Sequence, residues 1–382
     1  MRRTFVLSKG ARRVVRGVAQ PPARFILRTA ARAYAGEFPE PTLVVPHAEV
    51  KRPRFPAVNA HSHLRGPFGG PWSDMRVEKL VEALDAAGLE RLVALDGGYG
   101  RTLADEVERL TLAHPGRIAV FANLNYDSFA LSGFGEREAR RLEESVAAGA
   151  RGLKVWKTLG LAARDDSGQL IGLDDIRLAP IWEAAAQLAV PVLIHFGDPK
   201  AFFQPLTAMN ERWLELQRHR EWHHYPTRPL GNRYDPRPPS HEELHEQFER
   251  LVAAHPKTCF IAAHLASSGD DLGRVACLLD RYTNLHVDIS ASLNELGRQP
   301  YTSRDFLLRY ADRVLFGTDT GPDPEACRPY YRYLETRAEY VPYAPGGAML
   351  QGSWRIYGVD LPDDALRRIY RDNALSLIRF GD

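Results

Sequence analysis

Eight times along this chain a short β-branched or apolar run is followed by a longer amphipathic stretch, and this alternation constrains the fold more than any other feature. The strand-like runs are 56–61, 91–97, 118–124, 151–156, 191–196, 258–264, 285–290 and 313–318. Helix-like segments lie near 76–88, 101–114, 136–149, 177–189, 240–255, 270–282 and 303–311. In the first of these, Val77, Leu80, Val81 and Leu84 recur at the spacing that gathers side chains on one helical face, and Gly88 supplies the stop. Strands alternating with helices predict a parallel sheet with crossover helices. Eight units favour an α/β fold closed into a (β/α)8 TIM barrel over an open doubly wound sheet. No glycine-rich dinucleotide fingerprint follows the first strand, which also counts against the open sheet.

The barrel is expected over residues 55–382, with a basic N-terminal arm and Pro-rich bridge over 1–54. At 382 residues the chain is long for one domain, yet barrels with insertions routinely reach this length. Residues 197–239 form the main insertion, after the fifth strand, and hold Phe202, Phe203, Trp213, Trp222, His223, His224 and Tyr225. So long a stretch inside a compact domain reads as a lid or pocket wall. It follows a strand's C-terminal end, the face where barrel enzymes keep their sites. A smaller Gly- and Asp-rich break spans 157–176, and the tail is expected to close the fold with a helix near 362–379.

Charge narrows the partners. Residues 1–36 hold nine of the 50 basic residues and no acid, which leaves 41 bases against 48 acids elsewhere. The body therefore gives no electrostatic reason to expect nucleic acid. No apolar run reaches the roughly 18 residues of a membrane span. Three scattered cysteines exclude a disulfide framework and a thiolate cluster, so a reduced, cytoplasmic setting is expected. The basic head reads as a packed arm or surface helix, or as an organellar targeting segment.

Polar residues fall at the strand ends. His61 and His63 lie two apart at the end of strand 1, which sends both to one face. His195 ends strand 5, His264 ends strand 6 and Asp319 follows strand 8. Each alone has an ordinary structural reading. Together they occupy one register of a closed barrel and converge on its mouth, and imidazole and carboxylate are good ligands for Zn2+ and related ions. Three or four protein ligands leave room for a water. Lys154 and Lys157, three apart in strand 4, are expected to point to opposite faces, so only one enters the mouth. Lys154 and Arg65 are candidate anion contacts and Trp222 a candidate substrate contact.

The pieces VNAHSHL (58–64), GARGLKVWK (149–157), VLIHFGDP (192–199), FIAAHLA (260–266), VLFGTDTG (314–321) and IYRDNALSLI (369–378) resemble the amidohydrolase superfamily. The resemblance is to the branch of metal-dependent hydrolases (amidohydrolase-related, family 2) that includes the aminocarboxymuconate-semialdehyde decarboxylase-like enzymes. It implies that His61, His63, His195 and Asp319 hold one divalent ion, Zn2+ first, with Mn2+, Fe2+ or Co2+ also suited. It implies that His264 polarises substrate or handles protons. In binuclear members a carbamylated lysine at the end of strand 4 bridges two metals; here one metal is expected, with Lys154 contacting substrate.

The expected function is hydrolysis of an amide, ester or lactone of a small cyclic or aromatic, anionic molecule. The ion activates a water, Asp319 shuttles its proton and His264 stabilises the oxyanion. The alternative is a decarboxylase or hydratase, a lyase of a small aromatic or unsaturated acid. The second alternative is a non-catalytic binding barrel with a structural metal. The aromatic insertion is expected to wall a substrate pocket or to form a homodimer interface.

Overall fold

The computed structural model describes residues 42–46, 49–225 and 238–381. The basic head and part of the insertion, residues 226–237, lie outside the described residues. Chain contacts separate residues 1–44 from residues 45–382, and the barrel lies within the second unit.

Among the described residues nine strand segments, all pairing in parallel, make the eight barrel staves: β1 Ala57–Ser62, β2 Leu89–Ala94, β3 Ile118–Val120, β4 Ala122–Asn123, β5 Leu153–Val155, β6 Val192–Ile194, β7 Phe260–Ala262, β8 Leu285–Asp288 and β9 Val314–Leu315. β3 and β4 are one stave interrupted at Phe121, whose N–H donates to the Ala94 carbonyl at 2.9 Å. The Phe121 ring lies over Gly152, where any Cβ would come within 2.4 Å of it, so that stave can approach β5 only over a glycine. Closure is made by β1 and the end of β9. Ala60 N–H donates to the Phe316 carbonyl at 2.9 Å, and Asp319 N–H donates to the His61 carbonyl at 2.9 Å. All eight expected strands are present and the barrel is closed.

Period-2 alternation sorts the strand side chains into two cores. Val58, Ala60, Val93, Ala119, Phe121, Leu193, Ile261 and Leu315 fill the interior. Ala57, Leu92, Val120, Leu153, Ile194, Phe260 and Val287 face the helices outside. Lys154 occupies an interior position in register with Leu193. The helices follow the staves: α1 Val77–Ala87, α2 Gly100–Thr111, α3 Phe134–Ala147, α4 Ala179–Gln187, α5 His241–Ala254, α6 Leu272–Arg281 and α7 Pro300–Arg309. α1 buries Val77, Leu80, Val81 and Leu84 and ends at Gly88 in the left-handed region. α5 opens with a capping box between Ser240 and Glu243.

A further helix, α8 Pro324–Glu335, was not expected from the sequence. Pro329 inside it removes one intrahelical bond and obscures the pattern. Tertiary packing sustains it: Tyr330, Tyr331, Tyr333 and Leu334 are buried, and the Tyr331 hydroxyl donates to the Ala87 carbonyl at 2.9 Å. The expected tail helix is present over 363–377, with a π-turn at Arg368–Asp372 inside it. It seals the end of the barrel opposite the mouth, where Ala374, Ile378 and Phe380 complete the interior core and Asn373 donates to the Ala311 and Val314 carbonyls. The insertion is not structureless; among its described residues are short helices at Lys200–Phe203, Trp213–Arg218 and Arg220–Trp222. Among the described residues no helix is long and apolar enough to cross a membrane.

Candidate metal centre

β1 presents His61 and His63 on its inner face, and β9 runs on to Asp319. One oxygen, Asp319 Oδ1, lies 3.0 Å from His61 Nε2 and 3.1 Å from His63 Nε2. Gly317 permits this approach, because a Cβ there would stand 2.8 Å from the His61 Cβ. Asp319 adopts φ 65°, a left-handed conformation unusual for a residue with a side chain.

Each imidazole is oriented from behind. Asp288 Oδ2 lies 2.8 Å from His61 Nδ1, and Asp96 Oδ1 lies 2.7 Å from His63 Nδ1. Asp96 is itself fixed, since its other oxygen accepts from the N–H groups of Leu64 at 2.8 Å and Arg65 at 3.0 Å. Asp288 accepts from the N–H groups of His264 and Ser290 and from the Ser290 hydroxyl. With both Nδ1 atoms turned to carboxylates, the two Nε2 atoms face Asp319 Oδ1. Lys154 Nζ stands 3.3 Å from His61 Nε2 on the same side. His61, His63 and Asp319 thus form a group that could hold a divalent ion, with its outer hydrogen bonds in place. Burial opposes a proton on His63, but the hydrogen bonds to Asp319 and Asp96 prevail and raise it to about 9. Burial also works against the Asp319 charge, yet His264 and His61 hold its carboxyl well below the usual range.

The other expected site residues are placed unevenly. His195 borders the cavity, its ring edge-on to His264 at 4.5 Å between centroids, but it stands outside the tight group of His61, His63 and Asp319. Its Nε2 is 3.8 Å from Asp198 Oδ1, and burial lowers it to about 3. His264 begins a turn in which four consecutive residues, His264 to Ser267, have φ of 54–55°. Its Nδ1 lies 2.8 Å from the Ser290 carbonyl, which only accepts, so Nδ1 carries the hydrogen and Nε2 is the acceptor.

The two strand-4 lysines do not divide by parity as the sequence suggested. Lys154 is fully buried inside the barrel with Nζ 3.3 Å from His61 Nε2, and burial lowers it to about 8 against the pull of Asp319, Asp288 and Asp96. β5 ends at Val155, and Lys157 sits beyond it in helical backbone, where strand alternation no longer applies. Lys157 borders the cavity and pairs with both oxygens of Asp198 at 2.8 Å. Arg65 turns away to Glu106, 3.3 Å distant, and is not part of the cavity wall.

The cavity at the mouth measures about 360 Å3, within the range of small-molecule sites. His63, His264 and Asp319 form part of its wall, with Trp156, Trp222 and Phe202 supplying flat apolar surface. Trp156 stacks on His63 with ring centroids 5.2 Å apart. His224, from the insertion, reaches Asp198 at 2.6 Å, so Asp198 joins the insertion to Lys157. Asp96, Asp288, Ser290, Asp198 and Trp156 were not singled out from sequence. For Asp96 and Asp288 the signal was available: both are polar residues at strand ends, as His195 and His264 are.

A family model described as Amidohydrolase matches residues 74–380, and the chain belongs to that family of metal-dependent barrel enzymes. The match begins after β1. Among solved structures, the chain is similar to a 2,6-dihydroxybenzoate decarboxylase from Rhizobium (17% identity, TM-score 0.51, covering 85% of this chain and 98% of that one). It is also similar to a dihydroxybenzoic acid decarboxylase from a Polaromonas species with bound manganese and the inhibitor 2-nitroresorcinol (16%, 0.51, 85% and 96%). An uncharacterized TIM-barrel protein from Bordetella bronchiseptica is similar to the same degree (16%, 0.50, 85% and 98%). At these identities the likeness is one of fold. No curated protein matches the chain.

Proposed function

We propose that the chain is a metal-dependent lyase that decarboxylates a small aromatic carboxylic acid. The observation that carries this reading is the hydrogen bond from His264 Nδ1 to the Ser290 carbonyl. It fixes the ring and leaves Nε2 as the nitrogen that collects a proton and, once protonated, delivers it. The indole surfaces of Trp156 and Trp222 in the cavity wall favour an aromatic ring, and two of the three solved neighbours described above are decarboxylases.

His61, His63 and Asp319 would hold the ion, with His195 bordering it; zinc, manganese and iron all accept imidazole and carboxylate. When bound, the ion supplies a positive anchor for the substrate's carboxylate or neighbouring hydroxyl. Asp288 and Asp96 keep both imidazoles aimed at it. Trp156 and Trp222 orient the ring and exclude water around the breaking bond. The electron pair of the ring–carboxylate bond passes to the ring carbon, His264 Nε2 delivers a solvent-derived proton to that carbon, and carbon dioxide leaves. His264 returns to its neutral form with Nδ1 still bound to Ser290.

A hydrolase reading keeps one observation in its favour: Asp319 Oδ1 touches both histidines, beside any water on the ion. Product analysis separates the two. Metal-loaded enzyme offered hydroxybenzoates in D2O should release carbon dioxide and give arene carrying one deuterium at the former carboxyl carbon. Turnover of lactones, esters or amides with oxygen from labelled water in the product, and no carbon dioxide from the acids, would overturn the lyase reading.

A further inference from the structure

One charged cluster in the cavity wall takes no part in holding a metal. Arg212 and Glu215, from the insertion, meet Glu295, from the segment after β8, and all three side chains are at least nine-tenths buried. Arg212 Nη1 donates to Glu215 Oε2 at 2.9 Å, and its Nη2 pairs with Glu295 Oε1. The guanidinium also lies over the Trp354 and Phe202 rings, at 5.6 and 5.9 Å from their centroids. Glu295 has capacity to spare: among the described residues its Oε2 is buried without a hydrogen-bond partner. A buried carboxylate oxygen left so is costly, and in a cavity wall it marks a place for a donor.

The charge balance points the same way. One guanidinium faces two carboxylates. Lys157 is paired with Asp198, and Arg218 donates to the Met349 and Leu350 carbonyls at 2.7 and 2.8 Å. At this cluster a second anionic group on a ligand would meet the surplus carboxylate, whereas an ammonium would complete it.

We propose that Glu295, held in place by Arg212, determines specificity by receiving an amine-bearing substituent of the substrate. For the carboxylate of that substrate the inference rests on the reading above; for the amine it rests on the cavity alone. The substrate class is then an aromatic acid that carries an amine on a side arm.

Two measurements keep the claims apart. In the first, metal-free full-length protein is titrated with benzylamine and with benzyl alcohol by ligand-observed NMR. Benzylamine should bind about tenfold tighter or more, and Glu295→Gln should erase the difference. Equal binding of the two by wild type overturns the inference without relying on the folding of any variant. In the second, manganese-loaded protein is titrated calorimetrically with meta-(aminomethyl)benzoate, meta-(hydroxymethyl)benzoate and isophthalate. The expected order of affinity is amine, alcohol, dicarboxylate. Metal-dependent binding of all three with no amine preference sinks this inference and leaves the lyase reading standing. Amine selectivity with no effect of metal on any acid does the reverse.

Discussion

The two sides of the barrel mouth are built on different principles. On the strand side, His61 and His63 leave β1 with their directions set by pleat, register and two carboxylates that are themselves tied to backbone N–H groups. On the insertion side, Asp198, Lys157, His224 and the Arg212 cluster are held chiefly by one another's charges. Backbone-fixed groups lose little freedom when an ion arrives, which suits a metal centre. Groups joined through side-chain pairs can be exchanged with less harm to the barrel, which suits substrate choice.

Removing the carboxylate behind a histidine tests the first half of this contrast and should have the largest effect. Asp96→Asn is expected to weaken metal binding by about 10–100-fold while the cavity keeps its shape. Competition with a chromophoric chelator reads the change; unchanged affinity would mean the strand side is less organised than its hydrogen bonds indicate. Acid should act on the other side. His241 and His245 lie at the start of α5 beneath the insertion, against Phe203 and Phe196. Burial, then the charges of His241 and Arg274, lower His245 to about 2. Burial lowers His241 too, against the Ser267 carbonyl, Asp270 and Glu242 and together with Arg274. An unfolded histidine takes a proton near pH 6.5 while buried His245 stays neutral, so stability is lost as pH falls below that value. The share of His245 in this loss is about 2 kcal/mol between pH 7 and pH 5. Urea melts at the two pH values measure the total, and His245→Phe should reduce the difference by about that share, with His195 and His241 still contributing. The smallest change is expected from His224→Ala, which cuts the insertion's bond to Asp198. KM should rise by up to about tenfold with metal affinity unchanged. A parallel fall in metal binding would show that the two sides are not independent.

This division also decided what could be seen in the sequence. The strands were legible because apolar and β-branched runs recur at barrel spacing, and His61, His63 and Asp319 because they end such runs. α8 was hidden by Pro329, whose cost is met by the burial of the neighbouring Tyr330, Tyr331 and Tyr333 against partners far away in sequence, such as Ala87. The partition of Lys154 and Lys157 failed because β5 stops at Val155. Arg65 looked like an anion contact, but its pairing with Glu106, 41 residues on, depends on how α2 docks. Glu215 and Glu295 carry no local signal at all. Their meaning arises only when the insertion folds back over the mouth and Arg212 comes between them.

The left-handed turn from His264 to Ser267 has a consequence for how loss of structure would be felt. Each residue with a side chain pays about 1–2 kcal/mol to stand in that conformation, so the turn as a whole carries about 4–8 kcal/mol. A domain's entire net stability is only about 5–15 kcal/mol. A segment so loaded springs back to ordinary backbone once its surroundings loosen, and His264 then points elsewhere. Turnover should therefore act as a gauge of barrel integrity, vanishing early on heating or in denaturant, before circular dichroism registers the loss of helices.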